Sequence, residues 1–117
     1  MAKRKRKRER RGGSAPAASD YKDLDGNVLT LRRSLSSATI SKLGEGPRSA
    51  AASLEDAWQR REEALFERLT IRWEIAGLPI DQQAMLLGRY RMASAEERRW
   101  VQATIASHLA EFIPELA

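Results

Sequence analysis

Eight basic side chains lie close together near the start of the sequence: Lys3, Arg4, Lys5, Arg6, Lys7, Arg8, Arg10 and Arg11, interrupted only by Glu9. At this density such residues do one kind of chemistry. They attract phosphates or another polyanion through charge, without reading a sequence of bases. The run contains no aromatic residue, so stacking on single-stranded bases is not expected of it. A block of like charge repels itself and is expected to stay disordered until a polyanion neutralises it.

Elsewhere, residues able to do catalytic or ligand chemistry are sparse and poorly spaced. His108 is the only histidine and there is no cysteine, which makes a poor transition-metal site. As a base, His108 would need a nucleophile beside it, but Ser107 points about 100° away on a helix. A structural or surface histidine is the simpler reading. The acid pairs Glu62-Glu63 and Glu96-Glu97 fall where carboxylates favour helices or complement their dipoles. The segment "GEGP" at 44–47 has neither a Walker lysine nor dinucleotide-binding spacing. Aligning Gly26 with the glycine of an EF-hand loop puts Tyr21 and Arg32 at ligand positions, so the Asp-rich stretch around Asp23 and Asp25 reads as a turn. No catalytic residue, metal or cofactor is expected, and an enzyme is the least supported class.

The charge is unevenly placed. The whole chain carries +5, with a pI near 10.1. Residues 1–11 hold eight basic groups and one acid (+7), and residues 12–117 hold 13 basic and 15 acidic groups (−2). A strongly basic arm is thus joined to a mildly acidic body. The joint, "GGSAPAAS" at 12–19, reads as a tether reaching on the order of 15 Å.

At 117 residues the chain fits one small domain with appendages. The expected class is mainly α: a small three-helix domain with a short N-terminal β-hairpin and a disordered basic arm. The expected organisation is arm and tether at 1–19, a hairpin, short helix and connector at 20–52, and a helical core at 53–117. Asp25-Gly26 is a two-residue type I′ hairpin signal, followed by β-favouring Val28 to Arg32. Ser36 or Ser37 can cap a short helix that stops at Gly44. The core helices are placed at about 54–76, 82–92 and 95–113. The first follows Leu54, Trp58, Leu65, Leu69, Trp73 and Ala76 at helical spacing, capped by Ser53 and stopped by Gly77 and Pro79. The second takes Asp81 as its cap, with Ile80 stapled onto Met85. The third opens on a capping box, Ser94 with Glu97, and turns Val101, Ile105, His108 and Leu109 inward.

Several residues have competing readings. Arg61, Arg68 and Arg72 form one ridge of the long helix, and Arg89, Arg91, Arg98 and Arg99 cluster near the second turn. They read either as a phosphate-contacting surface or, better matched to a body of −2, as a solvated face with local partners. A helix-turn-helix across 67–91 is weakly supported, because its reading helix would be mostly apolar. Trp58, Trp73 and Trp100 are expected in the core. Phe66, Ile71 and Ile75 widen the apolar stripe beyond what one small core covers and are the candidate partner-binding residues.

The segments "AGLPI", "LLGRYRMAS", "ERRWV" and "FIPEL", behind "DLDGNVLTLR", resemble small uncharacterised proteins of high-GC Gram-positive (actinobacterial) genomes. The resemblance spans about residues 20–117 and implies a bacterial source, with no activity or ligand residue attached.

No apolar run approaches the roughly 18 residues of a membrane span, and the basic run leads into Gly-Gly-Ser-Ala-Pro rather than the apolar stretch of a secretory signal. No acyl site adjoins the arm, so membrane docking is not expected and the expected compartment is the cytoplasm. The leading expectation is a non-enzymatic nucleic-acid-associated protein, binding DNA or RNA non-specifically through its arm. The alternative is an adaptor subunit of a bacterial or phage-like assembly that binds a protein partner, or itself, through the apolar face of its helices.

Overall fold

The computed structural model describes residues 17–45 and 54–117. The tether before Ala17, the connector after Glu45 and the Ser53 cap lie outside the described residues. Within them the chain runs β1 (Ala18–Lys22), β2 (Val28–Arg32), α1 (Ser37–Gly44), α2 (Leu54–Leu69), β3 (Thr70–Ile75), β4 (Leu78–Ile80), α3 (Gln83–Arg91) and α4 (Ala95–Phe112). A single 3-10 turn, Pro114–Leu116, closes it. The four strands form one antiparallel sheet in the order β1-β2-β3-β4.

This corrects the mainly α expectation. The protein is a mixed α and β domain, and the long helix expected over 54–76 ends at Leu69. Thr70–Ile75 pairs with β2 instead, setting Trp73 opposite Leu29 and Arg72 opposite Thr30. The physical reason lies in the residues. Ile71, Trp73 and Ile75 alternate with Arg72 and Glu74, the period of a strand, and β-branched and aromatic side chains favour a pleated surface. Leu69 and Trp73 also stand four apart, which imitates helical spacing.

Gly77 does not stop a helix either. With Ala76 it makes a two-residue hairpin turn in which both residues take positive φ, 53° and 80°, as a type I′ turn requires. The hairpin expected at Asp25-Gly26 forms, but with a different turn. Only Gly26 has positive φ there, the Gly26 N–H donates to Asp23 O, and the Asp23 N–H donates to Asn27 O. That is a type I turn followed by a glycine bulge. The Asp23 carboxylate accepts from the N–H groups of Asp25 and Asn27, both at 2.9 Å, and so braces the turn.

All four helices contribute to one core against one face of the sheet. Leu29, Leu31 and Trp73 point into it and meet Leu65, Phe66 and Leu69 of α2, Leu86 and Tyr90 of α3, and Val101, Ile105 and Leu109 of α4, with α1 adding Ile40 and Leu43 at its margin. Phe66 stacks on Tyr90 with ring centroids 4.6 Å apart and meets Trp73 edge-on at 5.7 Å. Burying each such side chain contributes about 1.5–3 kcal/mol. Thr70 Oγ1 and Trp73 Nε1 are buried there without a hydrogen-bond partner.

The caps follow the sequence unevenly. Ser36 caps α1 by accepting from the Thr39 N–H, and Ser94 and Glu97 form the full capping box of α4. α3 starts later than expected, with Gln82 at its N-cap and no side-chain bond, so Asp81 does not cap it. Ile80 belongs to β4 and Met85 is exposed, so the staple between them is not made.

Candidate functional site

Where α2, the end of α3 and the start of α4 converge, they leave a groove of about 710 Å3. α2 supplies Trp58, Gln59, Glu62 and Glu63, spaced so that they share one side of the helix. Tyr90 and Arg91 come from the last turn of α3, and Arg98 and Gln102, four apart on α4, complete the lining. Tyr90 forms the floor: its ring is held by Phe66, and its hydroxyl accepts a hydrogen bond from Gln102 Nε2 at 3.3 Å.

Charge in the groove is matched in place. Arg91 Nη2 donates to Glu63 Oε1 at 2.8 Å, and this bond holds the Glu63 carboxyl below its ordinary range. Glu63 in turn raises the Arg91 guanidinium. Glu62 behaves oppositely: burial pushes its carboxyl up, and Arg98 only partly offsets that. Burial likewise raises the Tyr90 hydroxyl, with the Gln102 bond acting against it. Arg98 reaches back to the Arg91 carbonyl at 3.4 Å. The groove thus combines polar groups of both signs with one large apolar ring, Trp58, which is 57% exposed. Such an arrangement can grip a surface through one aromatic anchor and several hydrogen bonds.

The expected site residues fare differently. Lys3, Arg4, Lys5, Arg6, Lys7, Arg8, Arg10 and Arg11 lie outside the described residues. Phe66, a candidate partner-binding residue, is fully buried in the core and has no surface to offer. Ile75 packs partly against the core from β3, and Ile71 is half-buried in the same strand. The three do not form one exposed face, because a strand rather than a helix carries the two isoleucines.

The arginine ridge is dismantled for the same reason. Arg61 donates to the Leu116 carbonyl at 2.9 Å, and Arg72, now on β3, pairs with Glu74 at 2.6 Å. Arg89 pairs with Glu97 at 2.8 Å and sits over the Trp73 ring. These partners come from other elements or from the strand, not from the neighbouring helical turn. β3 and β4 separate α2 from α3, so no helix-turn-helix exists across 67–91.

His108 is fully buried on the inner side of α4. Its Nε2 lies 2.6 Å from the Arg32 carbonyl oxygen, which can only accept, so Nε2 carries the hydrogen. Nδ1, 2.6 Å from the Tyr21 hydroxyl, then accepts from it in the neutral ring. Both nitrogens are occupied by structural bonds, which leaves neither for a substrate proton.

Sequence reasoning missed the groove. Its one available signal is an interruption: Arg61, Glu62 and Glu63 occupy the turn between Trp58 and Leu65. Among the described side chains of α2, the buried stripe starts at Leu65, and Trp58 stands apart from it. Among the described residues no cluster of three or more metal-ligating side chains occurs, and no helix is long and apolar enough to cross a membrane. Compared with known proteins, the chain matches no family model, no curated protein and no solved structure.

Proposed function

We propose that the protein is a non-enzymatic, nucleic-acid-associated protein that uses Lys3–Arg11 to attract phosphates without regard to sequence. One observation carries this reading: the segregation of +7 into residues 1–11 against −2 in all the rest. The pairing of Arg72, Arg89 and Arg91 with glutamates supports it, because basic groups neutralised within the body contribute little to a phosphate surface. Binding by about seven phosphate contacts gives a slope near −6 for log K against log salt on duplex DNA. Anisotropy titrations of labelled duplex at several salt concentrations test this. The full chain should show that slope, and a variant with the eight arm cations changed to Gln should lose it. Undiminished binding by the Gln variant would exclude the arm.

A second reading, an adaptor that holds a protein partner, is favoured by the exposed Trp58 at the rim of the groove. The surface involved would then be the groove and not the apolar helix face, which the core consumes. A partner recovered from nuclease-treated lysate by the Gln variant, and lost on Trp58→Ala, would support it.

A further inference from the structure

Among the described residues, β1 and β4 are the two edges of the sheet, and they are built differently. β4 has three residues with Pro79 in the middle, a short edge that a proline blunts. β1 has five residues, no proline, and opposite charges two apart, Asp20 and Lys22. Which groups of β1 face outward follows from its register with β2. Arg33 N–H bonds to Ala17 O and Asp23 N–H to Asn27 O, so the odd-numbered residues exchange backbone bonds with β2. The N–H and C=O groups of Ala18, Asp20 and Lys22 therefore point away from the sheet. Among the described residues no strand pairs with them.

We propose that β1 pairs antiparallel with β1 of a second copy of the chain, about a two-fold axis through Tyr21. Pairing about a two-fold axis requires outward residues to face outward residues, which leaves few registers. An axis through Asp20 sets Asp20 against Asp20 of the second copy, which is repulsive. An axis through Ser19 sets Asp20 against Ala18 and leaves both charges unmatched. The axis through Tyr21 sets Asp20 against Lys22 of the second copy, and Lys22 against its Asp20, as two bonded pairs exchanging backbone hydrogen bonds. Asp20 keeps its Oδ1 bond from Thr30 Oγ1 at 2.7 Å, and Oδ2 remains for the lysine. The same register brings the turn bearing Leu24, fully exposed in the single chain, beside Ala18 of the second copy.

The pairing is compatible with the charged arm. The two Ala17 residues lie four positions on either side of the axis and end about 26 Å apart. That exceeds the roughly 8–10 Å Debye length of ordinary buffers, so the roots of the two arms are screened from each other. The inference stands independently of what the arms bind.

Sedimentation equilibrium of the full-length protein across micromolar to millimolar concentration tests it, with far-UV circular dichroism showing that each variant is folded. The native chain should dimerise. Asp20→Lys alone and Lys22→Asp alone should each weaken dimerisation by about tenfold, since two like-charge pairs replace two opposite ones. The double variant D20K/K22D should restore it, and an equimolar mixture of the two single variants should form a mixed dimer. A monomer throughout, or a dimer indifferent to these reversals, overturns the proposal. An edge covered by the chain's own N-terminal residues gives the first of those outcomes.

Discussion

The side-chain oxygen of Asn27 accepts a hydrogen bond from the backbone N–H of Ala76 at 3.0 Å, joining the tips of two hairpins that stand 49 residues apart in the chain. Asn27 is itself oriented, because its Nδ2 donates to Asp23 Oδ2 at 3.2 Å. Asp23, Asn27 and Ala76 thus form a clasp at one end of the sheet, where β2 and β3 meet. Asn27→Ala should cost about 1 kcal/mol of unfolding free energy, measured by urea denaturation. Ala76 is a non-glycine residue at φ 53°, where a side chain costs about 1–2 kcal/mol and asparagine is better tolerated. Ala76→Asn should therefore raise the midpoint, and a fall would show that the alanine methyl is needed at that turn.

Tyr21 and His108 should behave as a coupled pair. Tyr21→Phe removes the donor to Nδ1 and should cost about 1–2 kcal/mol. His108→Ala also leaves the Arg32 carbonyl unpaired and opens a cavity beside Phe112, costing about 2–4 kcal/mol. In a double-mutant cycle the Tyr21 change should cost markedly less once His108 is gone. Additive effects would mean that the 2.6 Å contact contributes nothing of its own.

The unpaired hydroxyl of Thr70 offers a gain. Thr70→Val keeps the β-branched shape and removes a buried oxygen that has no partner. Stability should rise by about 1 kcal/mol, read as a shift of the thermal midpoint by several degrees. A loss would place a bound water at that oxygen.

The carboxylates divide by sign. The Ser94 N–H and Arg89 hold the Glu97 carboxyl low, and Arg91 holds that of Glu63 low. Each contributes stability above the ordinary carboxyl pKa, and that contribution is lost as pH falls through the depressed folded value. Glu62 is raised by burial, so ionising it disfavours the fold as pH climbs past the ordinary value toward the raised one. At pH 7, Glu97→Gln should destabilise and Glu62→Gln should not. Denaturation midpoints at pH 3 and pH 7 should differ less for Glu97→Gln than for the parent.

Phe66 and Trp58 lie on the same helix with opposite expectations. Phe66→Ala should cost about 3–5 kcal/mol, because the ring is fully buried between Tyr90 and Trp73. Trp58→Ala should change stability by no more than about 1 kcal/mol while removing the most solvent-quenchable fluorescence. Acrylamide quenching of the parent and this variant separates the two cases.

Legibility in the sequence followed the range of the interactions. The cap at Ser36, the box at Ser94 and Glu97, the inward His108 and the first hairpin all rest on residues a few positions apart, and each could be read. The strand at Thr70–Ile75 carries its own alternation, yet it depends on β2, far away in sequence, to be a strand at all. Leu69 and Trp73 satisfied a helical spacing that the sheet overrode. The positive φ at Ala76 was invisible for a related reason: alanine is a poor residue for that conformation, and its N–H is held by Asn27 from the other hairpin. The groove was illegible because its walls come from three helices, and Trp58 was grouped with a stripe whose next turn is charged.

Placing β2 beside β3 with two helices between them in the chain has a consequence for the order of assembly. As the polypeptide is made, the β1–β2 hairpin emerges before the strand and helices that cover Leu29 and Leu31, and an isolated hairpin is marginal in water. Its neighbour β3 follows only after α1 and α2, and its ceiling, with His108 closing on Arg32 and Tyr21, comes from the last helix. The fold is therefore completed only when the last helix meets the early hairpin. A nascent chain halted before α4 holds an unfinished sheet, and closure of these distant contacts, more than formation of any helix, should set the folding rate.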